Sequence, residues 1–302
     1  MSLEGVFAYL PTLFDERERL DEAATRRLVD DLVGAGVHGL TPLGSTGEFP
    51  YVDVGDRARL ARVVVEAAAG RVPVVHGVGG FALRDVVAQA RAAADAGVDG
   101  LLVVQQAFYG IDDDQIVDLH RAAAEASGLP VVAYHNPGQC RVPFSLSTVA
   151  RLGALDGVVG FKDASGDLRN IRRWQDACDG GTRMFAATAV PLVPAMLYGA
   201  VGWMAGPACV VPTESLALHR ACRQGDWARA LAIEQALAAL GAAFVRLGQA
   251  QTIKSLLAAE GYGTGHLARP LRPVPDDEAH DLTAILTEAR ARVAELTNGD
   301  TP

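Results

Sequence analysis

Along the chain, short runs of apolar and often β-branched residues alternate with longer stretches in which apolar positions recur every three to four residues. The runs at 6–14, 39–44, 73–79, 100–105, 130–136, 158–164, 183–189 and 201–208 have the length and composition of buried strands. Between them, segments such as EAATRRLVDDLVGAG, GDRARLARVVVEAAAG and LRDVVAQARAAADAG carry the helical period. Each ends at glycine, the residue that most readily adopts the left-handed conformation just past a helix. The near-copies AGVHGL (35–40) and AGVDGL (96–101) mark two places where a helix stops, turns on glycine and enters the next strand. HGVGG (76–80) predicts a tight turn after the third strand, and DDD (112–114) predicts a capped helix start.

Eight strand–helix units imply a parallel sheet, and eight is the number that closes a barrel. An open doubly wound sheet fits less well, because no GxGxxG follows the first strand. Strand signals stop near residue 225, beyond which DWARALAIEQALAALGAAFVRL, AQTIKSLLAAEG and DDEAHDLTAILTEARARVAEL all read as helix. The expected architecture is therefore α/β, a (β/α)8 TIM barrel over 1–225 with a C-terminal α-helical domain over 226–302. GHLARPLRPVP is expected to be an extended link within that domain, and NGDTP a frayed end.

Composition agrees. The 302 residues are 50% hydrophobic and only 6% aromatic, suited to close packing of helices on a parallel sheet. A net charge of −9 argues against nucleic acid as a partner. No stretch approaches ~18 uninterrupted apolar residues, and the N-terminus has no signal-peptide pattern, so the expectation is a cytoplasmic protein without a membrane partner. Cys140, Cys178, Cys209 and Cys222 show no paired spacing and are expected to be reduced thiols. The seven histidines, among them His38, His76 and His120, show no HxH or HExxH spacing, so no metal site is expected.

In a (β/α)8 barrel, reactive groups come from the C-terminal ends of the strands and the loops that follow. The chain has 25 arginines but only two lysines, Lys162 and Lys254. Lys162, in VVGFKDASGD, ends the sixth apolar run, where a desolvated amine becomes nucleophilic and can form an imine with a ketone. A buried pair with Asp163 or another carboxylate is the structural alternative. Lys254 lies in a tail helix and is expected to be solvated or a structural contact. GSTGE (44–48) follows the second run; successive N–H groups in such a turn form an anion nest suited to a carboxylate, with the Ser45 and Thr46 hydroxyls beside it. A plain turn opening a helix is the alternative. Tyr134 ends the fifth run and could relay protons, while alternation aims its neighbour His135 out of the barrel in a structural role. Phe108 and Tyr109 form an aromatic loop pair of the kind found at interfaces.

Taken together, PLGSTGE, VPVVHGVGG, AYHNP, GFKDASGD, GAVGWMAG and IKSLLAAEGYGTGHLARPL resemble the dihydrodipicolinate synthase / N-acetylneuraminate lyase family nearly end to end. Members are (β/α)8 barrels with a helical C-terminal domain, commonly tetrameric, that form a Schiff base without metal or organic cofactor. The resemblance implies that Lys162 forms the imine and that Ser45 and Thr46 hold a 2-oxo acid carboxylate through their N–H groups. It also implies that Tyr134 transfers protons, and that Tyr109 reaches a neighbouring subunit's site to complete a hydroxyl relay with Ser45. A homo-oligomer, dimer or tetramer, is expected accordingly.

The chain departs from the synthases where the second substrate binds. The arginine expected five residues after the catalytic tyrosine is Gln139, and Arg141, two further on, could replace it only in a rearranged loop. Ala107-Phe108-Tyr109 stands where Pro-Tyr-Tyr is common, and MAGPACVVPTE lacks the usual Ser and Asn. The expected activity is an aldolase-type lyase or hydro-lyase acting on pyruvate, a related 2-oxo acid or a 2-keto-3-deoxy sugar acid. Dihydrodipicolinate synthase proper and a non-catalytic keto-acid-binding barrel are the alternatives.

Overall fold

The computed structural model describes residues 3–187 and 191–297, so the end of the seventh apolar run and the NGDTP tail lie outside the described residues. Eight parallel strands form the centre: β1 (Gly5–Tyr9), β2 (Gly39–Thr41), β3 (Val75–Gly80), β4 (Gly100–Gln105), β5 (Val131–His135), β6 (Val158–Asp163), β7 (Arg183–Ala186) and β8 (Gly202–Ala205). Their hydrogen-bonded order is β2-β1-β8-β7-β6-β5-β4-β3. The ring closes through a parallel bridge between Leu40 and Val74 and a bond from the Gly77 N–H to the Pro42 carbonyl at 2.9 Å. The protein is a TIM barrel with a C-terminal helical extension.

Helices cover the sheet because each presents one apolar stripe. They are α1 (Glu22–Ala35), α2 (Val54–Ala68), α3 (Leu83–Asp95), α4 (Asp113–Ser127), the short α5 (Pro137–Cys140), α6 (Leu146–Gly153), α7 (Arg169–Ala177), α8 (Leu192–Leu197) and α9 (Pro212–Gln224). In α3 the buried positions Val86, Gln89, Ala90 and Ala93 fall at helical spacing. Asp112 caps α4 in a capping box with Gln115, as DDD implied. Gly36 and Gly97 turn the chain at positive φ in both near-copies, whereas α2 is capped by Ala69 in the left-handed conformation, one residue before its glycine.

Several boundaries differ from the sequence reading. HGVGG is no turn: it lies within β3 itself. A Cβ on Gly77 would stand 1.8 Å from the Leu43 carbonyl oxygen, and one on Gly79 would stand 2.1 Å from that of Val104. Glycine is required there by contact with neighbouring backbone. The second strand stops at Thr41 because Pro42 lacks an N–H and Leu43 takes a positive φ. The first stops at Tyr9, well short of residue 14, and the eighth gives way to a short 3-10 turn at Gly206–Cys209.

After α9 come α10 (Trp227–Ala236), α11 (Ala238–Leu247), α12 (Gln249–Ala259) and α13 (Asp276–Thr297), with residues 260–275 non-helical between the last two. Among the described residues no single helix is long and apolar enough to cross a membrane. The pair α10 and α11 passes jointly on length and composition, but it is bent by 46° and buries Ala230, Ile233, Leu240 and Phe244 within the protein.

Candidate active site

The strand register places Val104 beside Tyr134, Tyr134 beside Lys162 and Lys162 beside Phe185. On β1, Phe7 meets Phe185 edge to face at 5.7 Å, so Phe7, and Tyr9 two residues on, share the interior with Lys162. Alternation sends the neighbours outward. His135 Nδ1 lies 2.7 Å from the Asp163 carboxylate, and its ring packs against Phe144 and Trp174. Asp163 also accepts from the Ser165 N–H and hydroxyl and from Asn170. His135 is therefore structural, and Asp163 is engaged away from Lys162.

Lys162 is 2% exposed, and no carboxylate pairs with it among the described residues. Its Nζ sits 3.4 Å from the centroid of the Tyr9 ring and 4.5 Å from that of Tyr134. Burial pushes the amine well below the usual lysine range, against a smaller opposing pull from Cys140. The Cys140 thiol, buried at the end of α5, is itself pushed up to about 11 by burial. Neither aromatic ring compensates a full charge as a carboxylate would, so the neutral amine is the favoured form.

Tyr134 is the hub of a short hydroxyl chain. Asn136 Nδ2 donates to its phenol oxygen at 2.8 Å, and Ser45 Oγ lies 3.3 Å from the same oxygen, with either hydroxyl able to donate. Burial raises the phenol to about 12, with the bonds from Ser45 and Asn136 pulling the other way. Asn136 also caps α5, accepting from the Gln139 N–H and donating to the Gln139 side chain. A single side chain thus sets both the tyrosine and the loop that follows it.

The GSTGE turn is built by bonds from the Gly47 N–H to the Gly44 carbonyl and from the Glu48 N–H to the Ser45 carbonyl. Among the described residues the Ser45 and Thr46 N–H groups have no acceptor. The Thr46 hydroxyl is spent on the Gln249 side chain at 3.1 Å, which ties the turn to α12. Glu48 leaves the turn in the opposite direction: its carboxylate forms a buried ion pair with Lys254 and accepts from the Ala268 N–H at 2.6 Å. Lys254 also donates to the His266 carbonyl at 2.7 Å. The second lysine is therefore a structural contact and is not solvated.

A cavity of about 470 Å³ opens above this layer, lined among others by Ser45, Val104, Gln106, Tyr134, Gln139 and Cys140 from the barrel and by Gly248–Gln251 and Leu271 from the extension. Lys162 and Tyr9 do not line it, but Lys162 Nζ lies 4.5 Å from the ring centroid of Tyr134, which does, and faces Tyr9 on its other contact. Of the residues singled out from the sequence, the structure brings together Lys162, Tyr134, Ser45 and Thr46, with Gln139 at the rim. It does not bring in Arg141, an exposed residue at positive φ ending α5, or Tyr109, which is 80% exposed and stacked edge to face only on Phe108. The sequence reading missed Tyr9, Asn136, Cys140 and Gln249. Tyr9 had a usable signal, since it ends a barrel strand; the over-long first strand hid it.

The dihydrodipicolinate synthetase family model matches residues 2–289. An uncharacterized DapA-like lyase of Halobacterium salinarum is 35% identical over 288 residues, covering 95% of this chain and 94% of the relative. The 4-hydroxy-tetrahydrodipicolinate synthase of Sorangium cellulosum is 34% identical over 295 residues, covering 97% and 98%. Among solved structures, YagE of Escherichia coli K12, a family protein crystallised in complex with pyruvate, superimposes with a TM-score of 0.89 at 24% identity, covering 95% of this chain and 99% of that one. From its matched length and these relatives, the chain belongs to the dihydrodipicolinate synthetase family of lyases.

Proposed function

We propose that this lyase acts on pyruvate, or a related 2-oxo acid such as a 2-keto-3-deoxy sugar acid, through an imine at Lys162. One observation carries the reading: a buried amine with a depressed pKa and no carboxylate partner, set within one side chain of a cavity. The neutral amine attacks the ketone carbon, and the carbinolamine hydroxyl takes up a proton from solvent and leaves as water, giving a protonated imine. The unengaged Ser45 and Thr46 N–H groups suit the substrate carboxylate, which fixes the ketone relative to the amine. The imine then accepts the electron pair of the C3–C4 bond as it breaks, leaving an enamine and releasing an aldehyde; addition to an aldehyde is the reverse. Tyr134, bonded to Asn136 and Ser45, is placed to take the proton from the C4 hydroxyl and to return one to C3.

In a single chain, Tyr109 points to solvent beside Phe108, 80% and 73% exposed. Two adjacent bare aromatic rings favour a homo-oligomer in which Tyr109 enters a second copy's site. Gln139 at the rim and Arg141 outside the cavity favour an acceptor without a second carboxylate over aspartate semialdehyde.

Borohydride reduction in the presence of pyruvate, followed by intact mass, tests the imine. One stable adduct per chain is expected in the wild type and none in Lys162→Ala. An adduct that persists in the variant places the chemistry elsewhere, and an adduct without turnover of any aldehyde or sugar acid supports a binding barrel instead.

A further inference from the structure

The first strand ends on a tyrosine that the mechanism above does not use. Tyr9 is 1% exposed, and its hydroxyl is buried with no hydrogen-bond partner among the described residues. A buried hydroxyl without a partner is a cost to the ligand-free fold, and such atoms cluster where a ligand supplies what the protein leaves out. Two contacts fix where the ring lies. Its face is against the Lys162 amine at 3.4 Å from the centroid. Its outer edge is against Gly44: a Cβ there would stand 1.9 Å from Cε1 and 2.3 Å from the hydroxyl oxygen. Gly44 is the residue before Ser45, so the phenol spans the interval between the amine and the unengaged N–H groups of the turn.

We propose that Tyr9 is a substrate-contacting residue of the keto-acid site, its hydroxyl donating to the carboxylate of the imine-bound 2-oxo acid while its ring face supports the protonated imine. The inference rests on the imine reading and extends it. A 2-oxo acid joined to Lys162 has its carboxylate bonded directly to the imine carbon, a separation from the nitrogen comparable with the width of one phenol ring. The side chain that touches the amine with its face therefore presents its hydroxyl at the carboxylate. The phenol is raised well above its usual range by burial, then by Tyr134 and Cys140, so it stays protonated and remains a donor. The ring quadrupole favours a cation over its face, and the imine is cationic only after substrate has joined. Tyr9 would thereby discriminate for ketones bearing an adjacent carboxylate.

The test titrates pyruvate against borohydride-trapped adduct, read by intact mass, in the wild type and in Tyr9→Phe, with hydroxyacetone as a ketone lacking the carboxylate. Loss of one bond to a charged acceptor raises the half-saturating pyruvate concentration about tenfold in Tyr9→Phe and leaves hydroxyacetone trapping within twofold. The ligand-free melting temperature stays level or rises, because only an unpartnered hydroxyl has been removed. Tyr9→Leu, which also lacks the ring, weakens trapping of both ketones. Equal pyruvate titrations in wild type and Tyr9→Phe overturn the assignment, as does an equal loss for both ketones in Tyr9→Phe. A wild type that traps no adduct overturns the imine reading itself, and the two failures are therefore distinct.

Discussion

Removing Lys254 while leaving Glu48 creates a buried carboxylate with no counter-charge. Both side chains are about 1% exposed. The ammonium also donates to the His266 carbonyl and lies 4.4 Å from the Phe14 ring centroid. The pair thus joins the GSTGE turn, α12 and the segment after α12. Breaking a buried ion pair by deleting one partner costs about 3–5 kcal/mol, because the remaining charge is neither solvated nor compensated. With an unfolding entropy of roughly 2.1 cal/mol/K per residue, a 302-residue chain loses on the order of 5–8 °C in melting temperature. Lys254→Met keeps much of the apolar stem and isolates the charge. The penalty also has a pH signature. Burial already raises the Glu48 carboxyl, and Lys254 is what pulls it back. Without Lys254 the folded-state pKa rises further above the unfolded value, so stability is retained below the unfolded pKa and lost as pH climbs through the folded one. The destabilisation at pH 8 should exceed that at pH 5, growing by at most about 1.4 kcal/mol per pH unit within the titrating range. Urea unfolding at both pH values measures this, with Glu48→Met/Lys254→Met as the companion. The double variant should cost much less than the sum of the singles. A Lys254→Met cost below about 1 kcal/mol, or strict additivity in the double variant, would show that Glu48 and Lys254 are not coupled as a buried ion pair.

Tyr134→Phe should leave pyruvate trapping at Lys162 intact while lowering kcat for carbon–carbon cleavage by about 10²–10⁴-fold, as expected of a positioned proton-transfer group. Parallel adduct and turnover measurements separate the two steps, and an unchanged kcat removes Tyr134 from the relay. Gly77→Ala places a methyl 1.8 Å from the Leu43 carbonyl and should lower stability by about 1–3 kcal/mol through overpacking of backbone against backbone. A shift in the urea midpoint reads it. Because Leu43 precedes the GST turn, weaker pyruvate trapping should accompany that shift.

Much of the site was legible because barrel chemistry sits at strand ends, and strand ends can be found in a sequence when the apolar run stops cleanly. GFKDASGD placed Lys162 at the end of β6 and AYHNP placed Tyr134 at the end of β5, where period-2 alternation aimed His135 outward; that Asp163 also turns outward, to His135, came from the structure. The first run did not stop cleanly. VFAYLPTLF stays apolar for nine residues because the segment after Tyr9 is buried as well, so the true strand end, and Tyr9 with it, could not be placed. The same limit misplaced HGVGG, since glycine reads as a turn locally whether it is chosen for a positive φ or for close approach by another strand.

The lysine was the feature the sequence singled out by itself: one retained cation of the rarer kind at the end of a buried run, in a chain that otherwise uses arginine. Composition, periodicity and short motifs determined the barrel and, at β5, the side of the strand that faces inward, because both depend on neighbours along the chain. The environment that lowers the amine's pKa was decided only by tertiary structure. The burial comes from Tyr9 and Tyr134, on strands far apart in the chain, and the cavity beside Tyr134 is lined by Gln249 and Leu271, over a hundred positions away from either. Desolvation is a property of what surrounds a group in space, and a linear pattern records only what precedes and follows it.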